Sequence, residues 1–168
     1  MKIKIFVLYL LQQISLLRMG IEQDIKQASF KTNLEKAVVN LLYTYNWLRD
    51  NTQDIYKPFG LKMQHYNILR ILKGKYPKAS SPGEIKEVML DKSPDLTRLL
   101  DKLVEMELVV RQLCPENRRK MDVTITSKGL DLLKVLMTRQ EKLFNEIAER
   151  LSEKKAAELS NLLDKIRN

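Results

Sequence analysis

Apolar residues recur at Leu34, Ala37, Val38, Leu41, Leu42, Tyr45 and Leu48. This three-and-four spacing puts one stripe on one face of a helix. The stripe runs on towards Ile55 and stops before Pro58-Phe59-Gly60. A second helix carries Met63, Tyr66, Ile68, Leu69 and Leu72 and ends near Gly74, where the turn-rich "GKYPKASSPG" begins. Two similar helix starts follow. Ser81-Pro82-Gly83-Glu84 reads as an N-cap, a proline at the first helical position and a capping-box glutamate. That short helix is expected to carry Ile85, Val88 and Met89 on one face. Ser93-Pro94-Asp95 repeats the pattern, with Ser93 as cap, and opens a helix expected to bury Leu96, Leu99, Leu100 and Leu103. Between them "LDK" leaves a tight turn, so the spacing predicts a helix-turn-helix.

After Leu108-Val109-Val110 the period changes to two. In "CPENRRKMDVTIT", a turn over Pro115, Glu116 and Asn117 precedes alternation of apolar Met121, Val123 and Ile125 with polar Asp122, Thr124 and Thr126. The pattern predicts a β-hairpin directly after the second helix of the pair, with Arg118, Arg119 and Lys120 at its tip. After Ser127 the helical stripe resumes through Leu130, Leu133, Met137, Phe144, Ile147 and Leu151. Ser152 then reads as the cap of a last helix striped by Ala156, Leu159, Leu163 and Ile166. The expected fold class is mainly α with one small β-hairpin.

Composition narrows the chemistry. The chain has 168 residues, 44% hydrophobic and 30% charged, which fits one domain with helical extensions and an ordinary core. Its net charge of +9 favours an anionic partner, although the excess is spread along the chain. One cysteine and one histidine leave no zinc-ligand cluster and no internal disulfide, so no cofactor or metal is expected and a reducing, cytoplasmic setting is. No Gly-rich phosphate loop or nucleophile–base arrangement points to an enzyme. The opening "MKIKIFVLYLL" resembles the start of a signal peptide, but no small-residue cleavage site follows and the run is too short for a bilayer. An upstream start codon before Met19, or an extra helix turn, would explain residues 1–18 equally well.

A helix-turn-helix places its second helix in the DNA major groove. The candidates there are Ser93, Asp95, Thr97, Arg98 and Lys102. Arg98 is suited to bidentate pairing with guanine, worth about 1–3 kcal/mol of discrimination. A hairpin beside that helix is a wing over the flanking backbone, where arginine suits a narrow minor groove. Alone, a basic turn is usually solvated surface; the ordered combination is far more specific.

Residues from about Leu61 to Gly129 resemble the winged-helix core of the MarR family of bacterial transcription regulators. "LTRLLDKLVEMELVVR" is similar to its recognition-helix-to-wing segment, and "NRRKMDVTITSKG" to its wing signature ending in T-x-x-G. The resemblance implies a homodimer that binds a pseudo-palindromic site on double-stranded DNA, most often as a repressor. It also implies an N-terminal extension over 1–20, a dimerisation helix over 21–60, a DNA-binding domain over 61–128 and dimerisation helices over 129–168. Arg119 matches the wing arginine, Asn117 the acid that orients it, and Arg118 and Lys120 phosphate contacts. Two departures stand out: the acid is Asn117 here, and the glycine after the recognition helix is Glu107.

The family also implies a small, often phenolic, effector. Tyr43, Trp47, His65 and Tyr66 are candidates to line its pocket, although core packing explains them as well. Cys114 is expected to be a small strand residue rather than a redox switch. The competing readings are a winged-helix docking module for another protein and, through residues 1–18, a membrane-surface protein. The basic "NRRK" and Arg98 argue against docking, and no membrane partner is expected.

Overall fold

The computed structural model describes residues 20–114 and 117–168, and for 114 and 117–120 the backbone alone. The reading of residues 1–18 lies outside them. The chain divides into two compact units, with the boundary between Leu48 and Arg49.

In the first unit, helix α1 (Ile21–Asp24) buries Ile21. Helix α2 (Asn33–Tyr56) begins there and crosses the boundary. Its start is a reciprocal cap: the Glu35 amide donates to Thr32 Oγ1 at 3.0 Å, and the Lys31 amide to Glu35 Oε2 at 2.8 Å. The stripe read along this helix is there, but Leu34, Leu42 and Tyr45 are more than half exposed.

In the second unit, a short 3-10 turn (Lys57–Phe59) ends at left-handed Gly60. Helix α3 (Met63–Lys75), α4 (Pro82–Val88), α5 (Leu96–Glu105), strands β1 (Val109–Cys114) and β2 (Asn117–Ile125), and helices α6 (Ser127–Ala148) and α7 (Glu153–Arg167) follow. The core joins Tyr56, Leu61, Ile68, Leu69 and Leu72 to Ile85, Leu100, Leu103, Val109, Val123, Leu133 and Leu136. Each such fully buried side chain contributes roughly 1.5–3 kcal/mol.

Helix α4 starts as expected: the Glu84 amide donates to Ser81 Oγ at 3.3 Å and the Ser81 amide to Glu84 Oε2 at 3.0 Å. Three expectations need correction. Val88 is 56% exposed, leaving Ile85 and Met89 to bury the helix. The link to α5 is longer than a tight turn, spanning residues 89–95. The cap of α5 is Asp95, not Ser93: the Asp95 carboxylate accepts from the Thr97 and Arg98 amides at 3.0 and 3.4 Å. Proline disfavours helical backbone in the residue before it, which moves the start beyond Ser93, and an anionic cap also suits the helix dipole. Further on, Phe144 is half exposed, and Ser152 occupies the last cap position without a side-chain bond.

The hairpin is antiparallel, with Val109 opposite Ile125, Arg111 opposite Val123 and Leu113 opposite Met121, and the register shifts between Leu113 and Cys114. Ser80 adds a bridge to its far side, exchanging both backbone bonds with Val123 at 2.9 and 3.0 Å.

The corner between α5 and β1 is tightly made. The Leu108 amide donates to Leu103 O at 2.9 Å and the Glu107 amide to Val104 O at 2.8 Å, with Glu107 at φ 60°. This is a Schellman cap, which normally wants glycine in its left-handed position. The departure noted at Glu107 therefore keeps the glycine geometry and carries the backbone strain of a side chain there. Its carboxylate meets Lys128 Nζ at 2.6 Å, a bond that holds its pKa below the usual value. Across the corner, Thr126 Oγ1 donates to Glu107 O at 2.8 Å and accepts from the Gly129 amide at 3.0 Å. A Cβ on Gly129 would lie 2.2 Å from Leu108 O.

Gly129→Ala is thus expected to cost about 3 kcal/mol or more in urea unfolding, because backbone rather than a flexible side chain must move. A loss under about 1 kcal/mol would show that the corner yields easily. Glu107→Gly should raise the thermal midpoint by ~2 °C as strain is relieved. A lowered midpoint would mean that the Lys128 pair outweighs the strain.

Candidate nucleic-acid interface

Helix α5 turns Leu96, Leu100 and Leu103 into the core, and this decides what faces outward. Thr97, Arg98 and Asp101 are exposed and Lys102 is half-buried. The Arg98 amide is held by Asp95, but its guanidinium has no hydrogen-bond or ion-pair partner among the described residues and is available to a ligand. Lys102 Nζ meets Glu105 Oε2 at 3.1 Å, a surface pair worth about 0–1 kcal/mol and readily exchanged.

The other two helix candidates are already engaged. Asp95 caps the helix. Ser93 donates its hydroxyl and amide to Asp91 Oδ1 at 2.6 and 3.0 Å, and the hydroxyl bond is the main reason that the Asp91 carboxyl sits below its ordinary pKa. Gln64 Nε2 donates to the same carboxylate at 3.2 Å, tying the link 89–95 to α3.

An open cleft of about 500 Å³ lies between the starts of α4 and α5. Pro82, Gly83, Lys86, Ser93, Pro94 and Thr97 are in its lining. Lys86 was not singled out from the sequence. The available signal was its place next to Ile85: when Ile85 points inward, its neighbour faces solvent.

The backbone of Arg118, Arg119 and Lys120 belongs to β2, and Asn117 pairs with Cys114 as the first residue of that strand rather than as part of the turn. The basic run thus lies along the returning strand just past the tip. The side chains of Cys114, Asn117, Arg118, Arg119 and Lys120 lie outside the described residues.

The effector-pocket candidates fall in both units. Tyr43 and Trp47 belong to the first unit. Within the second, Tyr66 stacks on Tyr56 with ring centroids 5.0 Å apart. Both line a cleft of about 480 Å³ with Met63, Arg70, Leu90 and Phe144 among its other walls. Tyr56 is fully buried and its hydroxyl has no partner; burial, reinforced by Tyr66, pushes that phenol well above its ordinary pKa. His65 is not in that lining. It is 6% exposed, and its Nδ1 accepts from the Lys62 amide at 2.9 Å, capping α3. Burial, then the positive charges of Lys62 and Lys102, hold its pKa below 6.5. Among the described residues, no acid, cysteine and histidine cluster could hold a metal, and no helix is long and apolar enough to cross a membrane.

A capped helix pair whose second member runs through a tight corner into a two-stranded hairpin defines a winged helix-turn-helix protein. Comparison with known proteins bears this out. Residues 61–121 match the MarR family profile. The MarR transcription factor from Planctomyces limnophilus is 32% identical, with a TM-score of 0.63, and the likeness covers 81% of this chain and 98% of that one. The HTH-type transcriptional regulator MhqR of Bacillus subtilis is 26% identical over 132 residues, covering 78% of this chain and 89% of MhqR. A cysteine-to-serine variant of Escherichia coli MarR, solved in complex with operator DNA, shares the fold at 24% identity and a TM-score of 0.66, over 82% of this chain and 99% of that one. The chain belongs to the MarR family and is a DNA-binding transcription regulator.

His65 gives a pH test. With the folded pKa below 6.5, the unfolded chain takes the proton first, so stability is full above about pH 7 and is lost as pH falls below about 6.5. Urea unfolding at pH 7.5 and 5.5 should show a fall in the parent and a smaller fall in His65→Gln. Equal falls in both would assign the loss to other groups.

Proposed function

We propose that this protein is a homodimeric repressor that binds a pseudo-palindromic operator, with α5 in the major groove and the hairpin's basic strand on the flanking minor groove. One observation carries the reading: Thr97 and Arg98 stand exposed and uncommitted in the first turn of α5, the part of a recognition helix that meets base edges. Thr97 and Arg98 are the base contacts in this reading. Asp95 sets the helix start, Ser93 shapes the link before it, and Lys102 exchanges Glu105 for phosphate. Arg119 enters the minor groove with Asn117 supporting it, while Arg118, Lys120 and Lys86 meet phosphates. The protein acts by binding, not by catalysis.

The dimer reading rests on apolar surface left open in each unit. Leu34, Leu42 and Tyr45 stripe α2, and Leu159, Leu162 and Ile166 stripe α7, all at 46–70% exposure. Contiguous apolar stripes of this kind mark protein interfaces. Residues 21–60 and 129–168 are accordingly assigned to dimerisation and 61–128 to DNA. The orphaned Tyr56 hydroxyl beside Tyr66 and Arg70 suits an aromatic effector bearing an acceptor or anionic group, whose binding would release DNA. A reducing cytoplasmic setting suits such a regulator.

Selection from random duplex DNA with the full chain should enrich a two-fold-symmetric motif whose affinity falls steeply with salt. Absence of a motif would favour the docking reading. Arg98→Ala should relax base preference at one position by about 1–3 kcal/mol, and Arg119→Ala should weaken binding to all sequences. Parent-like binding by both would refute the placement of helix and wing.

A further inference from the structure

We infer that the Arg111–Asp101 ion pair is a latch that fixes the angle between the wing and the recognition helix, making Arg111 and Asp101 positioning residues for DNA binding. The inference rests on the reading of α5 and the hairpin given above. Arg111 Nη1 donates to Asp101 Oδ1 at 2.9 Å, and among the described residues this is the only ion pair between hairpin and α5. Chain connectivity attaches the hairpin to α5 at the Glu107 corner alone. The Ser80 bridge and the buried Val109, Val123 and Ile125 hold the hairpin's base to the core, but among the described residues no other charged bond runs from the hairpin to α5. Arg111 stands two residues up β1 from Val109, roughly 7 Å along the strand. A bond there supplies the second point that defines a direction.

The environment of Arg111 makes it stiff. Its side chain is only 22% exposed and its Nε is fully buried without a partner, so the guanidinium has one strong acceptor and little room to seek another. It sits directly opposite Val123, which is itself bridged on its other side to Ser80. Directly opposed residues share a face of the sheet. The row Ser80, Val123, Arg111 therefore leads from the loop before α4 across the hairpin to Asp101 on α5. A carboxylate on the groove-facing helix also repels phosphate, and pairing with Arg111 offsets that repulsion. Asp101 is 59% exposed, but its loss would leave the mostly buried Arg111 without its acceptor, so the urea midpoint of each variant is read beside its binding.

The test is a double-mutant cycle on the full chain, comparing parent, Asp101→Asn, Arg119→Ala and the double variant. The probe is the tightest-binding duplex recovered from random sequence, titrated at one salt concentration. If the latch aims the wing, Arg119→Ala weakens the parent about tenfold but the Asp101→Asn protein less than about threefold, because an unlatched wing has already lost its contact. Asp101→Glu, which keeps the carboxylate, should restore most of the difference. A purely structural role would lower the urea midpoint without changing the Arg119 factor. Equal Arg119 factors in both backgrounds overturn the latch. No effect of Arg119→Ala in the parent overturns the wing reading itself, and the latch with it.

Discussion

The interface depends on one close approach. The carbonyl of Leu108 receives the Thr126 amide at 3.1 Å and sits where any side chain on Gly129 would collide with it. Two segments separated in the chain meet there: the run from the end of α5 into β1, and the end of β2 with the first turn of α6. Without the glycine the helix would stand off from the strand. Without the Thr126 hydroxyl, Glu107 O would lose a bond that ties the returning strand to the corner. Close packing transmits any such shift, because a dense interior has little slack. The base of the hairpin is therefore positioned against α5 by backbone contacts at this corner.

Upon this corner the polar groups are sorted by how firmly they are held. Asp95 and Ser93 are engaged in making the start of α5, where a carboxylate on two amides offsets helix-end donors that would otherwise lack partners. The side chains of Thr97 and Arg98, in the same first turn, are exposed. Arg111 lies between these cases, mostly buried and joined to a surface carboxylate. Groups that build the scaffold are bonded internally, and the groups proposed to meet DNA are left open. This separation keeps recognition from competing with folding.

The second unit uses its single histidine to build the start of a helix. His65 Nδ1 takes the Lys62 amide at the start of α3, and the ring is buried. An aromatic residue beside Tyr66 is a reasonable pocket candidate from the sequence. The cleft instead uses Tyr56, which the stripe over 34–48 did not reach, stacked on Tyr66. Rings from two helices meet only when those helices pack, and nothing in their local spacing announces it.

The sequence by itself determined the element types and their order, the Ser81–Glu84 cap, the inward Val123 and Ile125 of the hairpin, and the leucine face of α5. All of these follow from short-range periodicity and from side chains reaching backbone within one turn. The tertiary structure decided the rest. It chose Asp95 over Ser93 as cap, because Ser93 turns to Asp91, which is also held by Gln64 of another helix. It left Val88 and Phe144 exposed, since a periodic stripe does not say how far the neighbouring element extends. It kept Glu107 left-handed, because the Schellman bonds and the Leu108 contact impose that backbone whatever the side chain. It joined Arg111 to Asp101, a pairing that exists only once the strand folds back beside the helix.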